Sequence, residues 1–156
     1  MMNNYRDQIE RLMAEYSAVI DSDELEKWPE LFTDACHYRV TTRSNYANGF
    51  AHGAIWANSK GMLLDRVSAL REANVYEEHV YRHICDSVRI LNEDKKLVQV
   101  QSNFLVVRTM HTGQMDVFAT GMYVDEIQLN DNLALFKQRI VVCDSHVIDT
   151  LLALPL

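Results

Sequence analysis

The sequence predicts an α+β fold: helices in the first half, packed on a long curled antiparallel sheet built from the second. Three observations predict it. Apolar residues recur at three- and four-residue spacing only before residue 75, and from Val80 onward they alternate at every second position. The connections between the alternating segments are polar and hairpin-sized, which forces antiparallel neighbours.

Taken in order, Ile9, Leu12, Met13, Tyr16, Val19 and Ile20 form one apolar stripe and predict a first helix. Ser22 or Asp23 is the expected N-cap of a shorter helical stretch with Leu25, Trp28, Leu31 and Phe32 inward, kinked at Pro29. "CHYRVTT" (36–42) alternates as a short strand, and the following "RSNYANGFAHGA" reads as an irregular loop. Ser59 is expected to cap a third helix to about Arg71, burying Leu63, Leu64, Val67 and Leu70, with Asn74 as its stop.

Segments 80–91, 97–110, 115–129 and 133–144 then read as four successive strands joined by "NEDKK", "HTGQ" and "NDN". At twelve to fifteen residues each they far exceed the usual strand of roughly 5–6. Twist accumulated over that length predicts a sheet curled into a half-open cone, with the helices filling its concave side. The apolar tail, with Leu151, Leu152, Leu154 and Leu156, is expected to pack on its own domain or on a neighbouring subunit.

A chain of 156 residues, 48% apolar and 24% charged, is expected to form one domain over 1–156. A net charge of −7 with dispersed basic residues argues against nucleic acid. The N-terminal segment has neither a basic start nor an apolar stretch, and no run approaches the roughly 20 apolar residues of a membrane span. Three cysteines do not make a disulfide framework, so a cytoplasmic protein with reduced thiols is expected.

The densest reactive chemistry lies in "YRHICD" (81–86). In a strand, Tyr81, His83, Cys85, Ser87 and Arg89 share one face, whereas Arg82, Ile84, Asp86, Val88 and Ile90 share the other. A His83–Cys85–Asp86 triad is therefore excluded. A Rieske cluster takes two Cys and two His ligands. "CDSH" (143–146) has the C-x-x-H spacing, but "CH" (36–37) and "HIC" (83–85) do not complete the set. Tyr16, Tyr38, His83, Asp86 and Asp125 could instead converge in a pocket for acid–base work, as in a stand-alone dehydratase or isomerase. A third class is a binding or scaffolding domain without chemistry.

Four ordered stretches carry a resemblance. "LLDRVSALREANVYEEHVYRHICDSVRI" (63–90), with Asp65–Arg66 and Arg82–His83, resembles the small (beta) subunit of aromatic-ring-hydroxylating, Rieske-type dioxygenases. So do "VQVQSNFLVVRT" (98–109), "FKQRIVVCD" (136–144) with Arg139 and Asp144, and "DSDELEKWPELFTDACHYRV" (21–40). Many relatives carry Pro-Ser-Arg before the Arg-His pair and Asn after it, where this chain has "HVY" and Ser87. These departures point toward the salicylate, anthranilate or terephthalate subgroup.

The resemblance implies the nuclear transport factor 2-like (cystatin-like) cone and a small subunit without catalytic residues or cofactor of its own. It implies a large (alpha) partner subunit holding the Rieske [2Fe-2S] cluster and a mononuclear Fe(II). It further implies self-association as a trimer inside an α3β3 hexamer, with NAD(P)H electrons arriving through a reductase and sometimes a ferredoxin. Asp65, Arg66, Arg82, His83, Arg139 and Asp144 are then expected in structural or subunit contacts.

Overall fold

The computed structural model describes residues 3–73, 76–92, 94, 96–148 and 152–156. The elements are α1 (Asn3–Asp21), β1 (Phe32–Thr42), α2 (Arg43–Ala47), β2 (Ile55–Ala57), α3 (Lys60–Ala73), β3 (His79–Ile90), β4 (Leu97–Met110), β5 (Met115–Asn130) and β6 (Leu133–Cys143). One six-stranded sheet has the order β2-β1-β6-β5-β4-β3.

The antiparallel, cone-like curl expected from strand length is overturned. The sheet is mixed, because β1 joins β6 in parallel, and it is open, with β2 and β3 at its two edges. It is neither closed nor strongly curled. Strand length alone does not close the sheet: β1, added parallel to β6, and the three-residue β2 extend it beyond the four long strands and leave it open-edged. A covering layer then suffices to bury one face.

That layer consists of α1, which lies against β3 and β6, of α3, which lies against β1 and β2, and of the chain's last residues. The α1 stripe Ile9, Leu12, Met13, Tyr16, Val19 and Ile20 is buried throughout. In α3, Leu63 and Val67 are buried, Leu70 is partly so, and Leu64 faces solvent. Ser59 caps this helix by accepting the Met62 main-chain N–H at 3.2 Å, while Asn74 lies outside the described residues. Leu152, Leu154 and Leu156 join the core of their own chain, and Leu151 lies outside the described residues.

Three local expectations change. The stretch after α1 is two 3-10 turns, Leu25–Lys27 and Pro29–Leu31, and Phe32 already opens β1. Neither Ser22 nor Asp23 caps the first turn; Asp23 has a positive φ of 57° and bonds Arg71. The 43–54 stretch holds α2, capped by the Thr42 hydroxyl, and β2 follows it, pairing with β1.

Gly121 shows why one position in β5 has no side chain. An added Cβ would lie 2.0 Å from the Val142 carbonyl oxygen on β6, a distance no atom pair tolerates.

Candidate functional site

The inner face of the sheet carries charged groups in three connected places. On β5 and β6, Asp125 and Arg139 stand directly opposite each other. Arg139 donates from Nε to Asp125 Oδ1 at 2.9 Å and from Nη2 to Oδ2 at 2.7 Å, a two-pronged pair buried on both sides. The guanidinium carbon sits 3.8, 4.1 and 4.2 Å from the ring centres of Tyr123, Phe136 and Tyr16.

Burial works against the Arg139 charge, but Asp125 and the surrounding phenols outweigh it and hold the group above the ordinary guanidinium range. Burial likewise raises the Asp125 carboxyl, and Arg139 opposes that rise. Arg139 is thus a permanent buried cation caged by aromatic faces and one carboxylate.

At the end of α1, Asp21 accepts the His83 main-chain N–H at 2.8 Å and contacts His83 Nδ1 at 2.6 Å. A carboxylate only accepts, so Nδ1 carries the hydrogen. This contact ties the helix to β3, with both side chains withdrawn from solvent. His83 Nε2 is buried without a protein partner.

Between these two places, the Tyr16 hydroxyl lies 2.5 Å and the Tyr38 hydroxyl 3.0 Å from the main-chain oxygen of Leu156, with 3.3 Å between the hydroxyls. Burial pushes Tyr16 up to about 12 and Tyr38 well above its ordinary value, so both remain O–H donors. Arg66 on α3 donates to the carbonyls of Leu152 and Ala153 at 2.8 and 3.2 Å.

Of the five residues considered for acid–base work, Tyr16, Tyr38, His83 and Asp125 do gather around Tyr16, and Asp86 points outward. Their polar atoms are largely spent on internal partners. Asp21 and the Leu156 oxygen, which complete the arrangement, escape a sequence reading because each meets its partner across more than sixty residues.

The remaining candidates lie at the surface. Asp65 and Arg82 are exposed. Asp144 accepts from the Thr120 hydroxyl at 3.0 Å and pairs with Arg43 at 2.7 Å. The two-face pattern of β3 holds through Asp86 and then reverses. Ser87, at φ 55°, marks a bulge, after which Val88 and Ile90 pack against the core.

Among the described residues, no group of three or more His, Cys, Asp or Glu side chains gathers to hold a metal ion. Burial pushes the Cys36 and Cys143 thiols up to about 11. No described helix is long and apolar enough to cross a membrane.

The outer face differs sharply. Val80, Ile84, Met115 and Val117 are each more than half exposed. Pairing sets them side by side: Val80, Thr109 and Met115 form one row, and Arg82, Val107 and Val117 the next. The result is an apolar strip on β3, β4 and β5 with Arg82 within it.

The chain matches the family model described as ring hydroxylating beta subunit over residues 17–150. It is 50% identical to the terephthalate 1,2-dioxygenase terminal oxygenase component subunit beta 1 of Comamonas sp. over 96% of this chain and 97% of the relative. It is 35% identical to the anthranilate 1,2-dioxygenase small subunit of Burkholderia cepacia, covering 96% and 92%. A crystal structure from Novosphingobium aromaticivorans, assigned as the beta subunit of an aromatic-ring-hydroxylating dioxygenase, superposes with a TM-score of 0.88. There the identity is 35% and the coverage 96% and 95%.

Proposed function

This chain belongs to the ring-hydroxylating beta-subunit family of aromatic-ring-hydroxylating dioxygenases, and on that premise we propose that its own contribution is assembly and not chemistry. The observation that carries the reading is the division between the two sheet faces. The chemically capable side chains are engaged inside the core, while an apolar strip stands ready for a protein partner.

The partner is the large (alpha) oxygenase subunit, an association that homology to named oxygenase subunits supports. In the finer reading, residues 1–156 act as one domain that trimerises within an α3β3 hexamer in the cytoplasm. The large subunit then holds the Rieske [2Fe-2S] cluster and the mononuclear Fe(II), fed from NAD(P)H by a reductase. The names of the relatives support an aromatic carboxylic acid as the compound that the whole oxygenase acts on. Asp65, Arg82 and Asp144, at the surface, are offered to subunit contacts; Arg66, His83 and Arg139 hold the fold that presents them.

The test is to purify the chain alone and again with the large subunit co-expressed beside it. The expected result is a colourless protein alone and an iron-containing complex with equal numbers of both chains. Stoichiometric iron on the isolated chain, or turnover of a small substrate without the large subunit, would overturn the proposal.

A further inference from the structure

Charge is unevenly spread along this chain. Residues 35–64 carry Arg39, Arg43 and Lys60 and no Asp or Glu, a net charge of +3 in a chain of −7, which leaves −10 on the rest. The fold gathers part of that segment on the outer side of the sheet, at its β2 edge. Tyr38 and Val40 are buried in the core, so His37 and Arg39 point outward; Trp56 stands directly opposite Arg39 on β2 and points the same way.

The Trp56 ring has two imidazoles beside it, with ring centres 6.1 Å away at His37 and 5.0 Å away at His52. Arg39 fixes the loop by donating from Nη1 to the Phe50 carbonyl at 2.5 Å, and the Phe50 side chain is left in solvent. Arg43, on α2, pairs with Asp144 yet keeps 76% of its side chain exposed. Aromatic rings and arginines gathered on one surface are the residue types that carry binding energy between proteins.

The sign of the charge selects the occupant. Two cationic patches facing each other across a two-fold axis repel, so a contact between copies must set the patch against a different, acidic surface of the next copy. The −10 on the rest of the chain supplies that surface. A head-to-tail contact of this kind generates a ring when its rotation closes.

We propose that the outer face at β1, α2 and β2 is the surface by which one copy of this chain docks on the acidic surface of a second copy, with Arg43, Phe50 and Trp56 as its main contacts. This rests on the self-association proposed for the chain. It sets that contact toward the β2 end of the sheet and leaves the apolar strip on β3, β4 and β5 to the large subunit.

The test is sedimentation velocity of the unaltered chain alone and of the double variant Arg43→Glu with Phe50→Asp, with urea unfolding to show that the variant folds. The unaltered chain is expected to sediment as a ring of three. It should dissociate as salt rises from about 0.1 M to about 1 M, because the screening length falls from about 10 Å to about 3 Å. The variant is expected to associate about a hundredfold more weakly, the loss of two anchoring side chains, and still to co-purify with the large subunit. Should it not fold, Phe50→Asp with His52→Glu is read in the same way. A monomeric unaltered chain would overturn the self-association and the surface assignment together. A ring that persists in the folded variant overturns the surface assignment alone. A dimer, or an association indifferent to salt, would contradict the head-to-tail charge pairing. Loss of the large subunit by the variant overturns the proposal too, since the patch then serves that partner. So does failure of both variants to fold, because these exposed side chains are held to be dispensable within their own chain.

Discussion

Two arginines, Arg139 on β6 and Arg82 on β3, sit in apolar strands of the same sheet and meet opposite fates. Arg139 faces inward, where water is absent, and it is held by both oxygens of Asp125 and by three aromatic faces. Arg82 faces outward among Val80, Ile84, Val107 and Val117, exposed to solvent. The inner charge must be matched inside the chain, because an unmatched buried ion costs several kcal/mol. The outer charge costs nothing in the isolated chain and is available to define a partner. The inner face of the sheet thus serves to hold the subunit together, and the outer face is where its interactions with other chains are expected.

The sharpest way to break that comparison is to remove each arginine in turn. Arg139→Ala should lower the stability of the isolated chain by about 3–5 kcal/mol, because Asp125 is left buried and unpaired. Arg82→Ala should move it by no more than about 0.5 kcal/mol. Urea unfolding followed by circular dichroism gives both numbers. Comparable losses would show that the two faces do not differ in the way described. Replacing the pair together, Asp125→Leu with Arg139→Met, should recover most of the loss, since a well-packed apolar pair replaces buried ions at little cost.

A smaller effect is expected at the end of α1. His83→Ala leaves the Asp21 carboxylate with one of its two partners and should cost about 1–3 kcal/mol in the same unfolding experiment. An outer residue of the same strand, such as Ile84→Ser, should cost less than His83→Ala. The reverse order would contradict the inward anchoring of β3.

The thiols give the mildest test, one of rate. Burial raises all three thiols, Cys36 and Cys143 up to about 11, but of the three only Cys85 is exposed, on the edge strand β3. Iodoacetamide at pH 8 should therefore modify Cys85 first and reach the other two only through unfolding, as peptide mapping by mass spectrometry would show. Early modification of Cys36 or Cys143 would mean that the inner face opens more readily than its packing implies.

The strands of the second half are legible in the sequence almost residue by residue, because alternation and short polar turns are local signals. The errors arise where structure depends on partners distant in sequence. β2 has three residues and exists only by pairing with β1, and the parallel junction of β1 with β6 joins segments about a hundred residues apart. Those two additions turn the expected curled antiparallel cone into an open mixed sheet.

The Asp125–Arg139 pair shows how near a site can come to being read. Counting back from the β5–β6 turn in strict register sets Asp125 opposite Gln138. A bulge between Glu126 and Ile127 advances the pairing by one residue and brings Arg139 there instead. The Asp21–His83 anchor and the Leu156 oxygen left no comparable trace, since nothing local marks a helix-end carboxylate or a main-chain oxygen as a partner.

The central claim is that the outer strip makes the subunit contact while the inner face only supports it. Sedimentation velocity of the large subunit co-expressed with this chain tests it most directly, comparing the unaltered chain with Ile84→Asp plus Val117→Lys. The account predicts that the variant chain unfolds at nearly the same urea concentration as the unaltered one, yet no longer sediments in the assembled oxygenase. An assembly of unchanged mass and composition would contradict it.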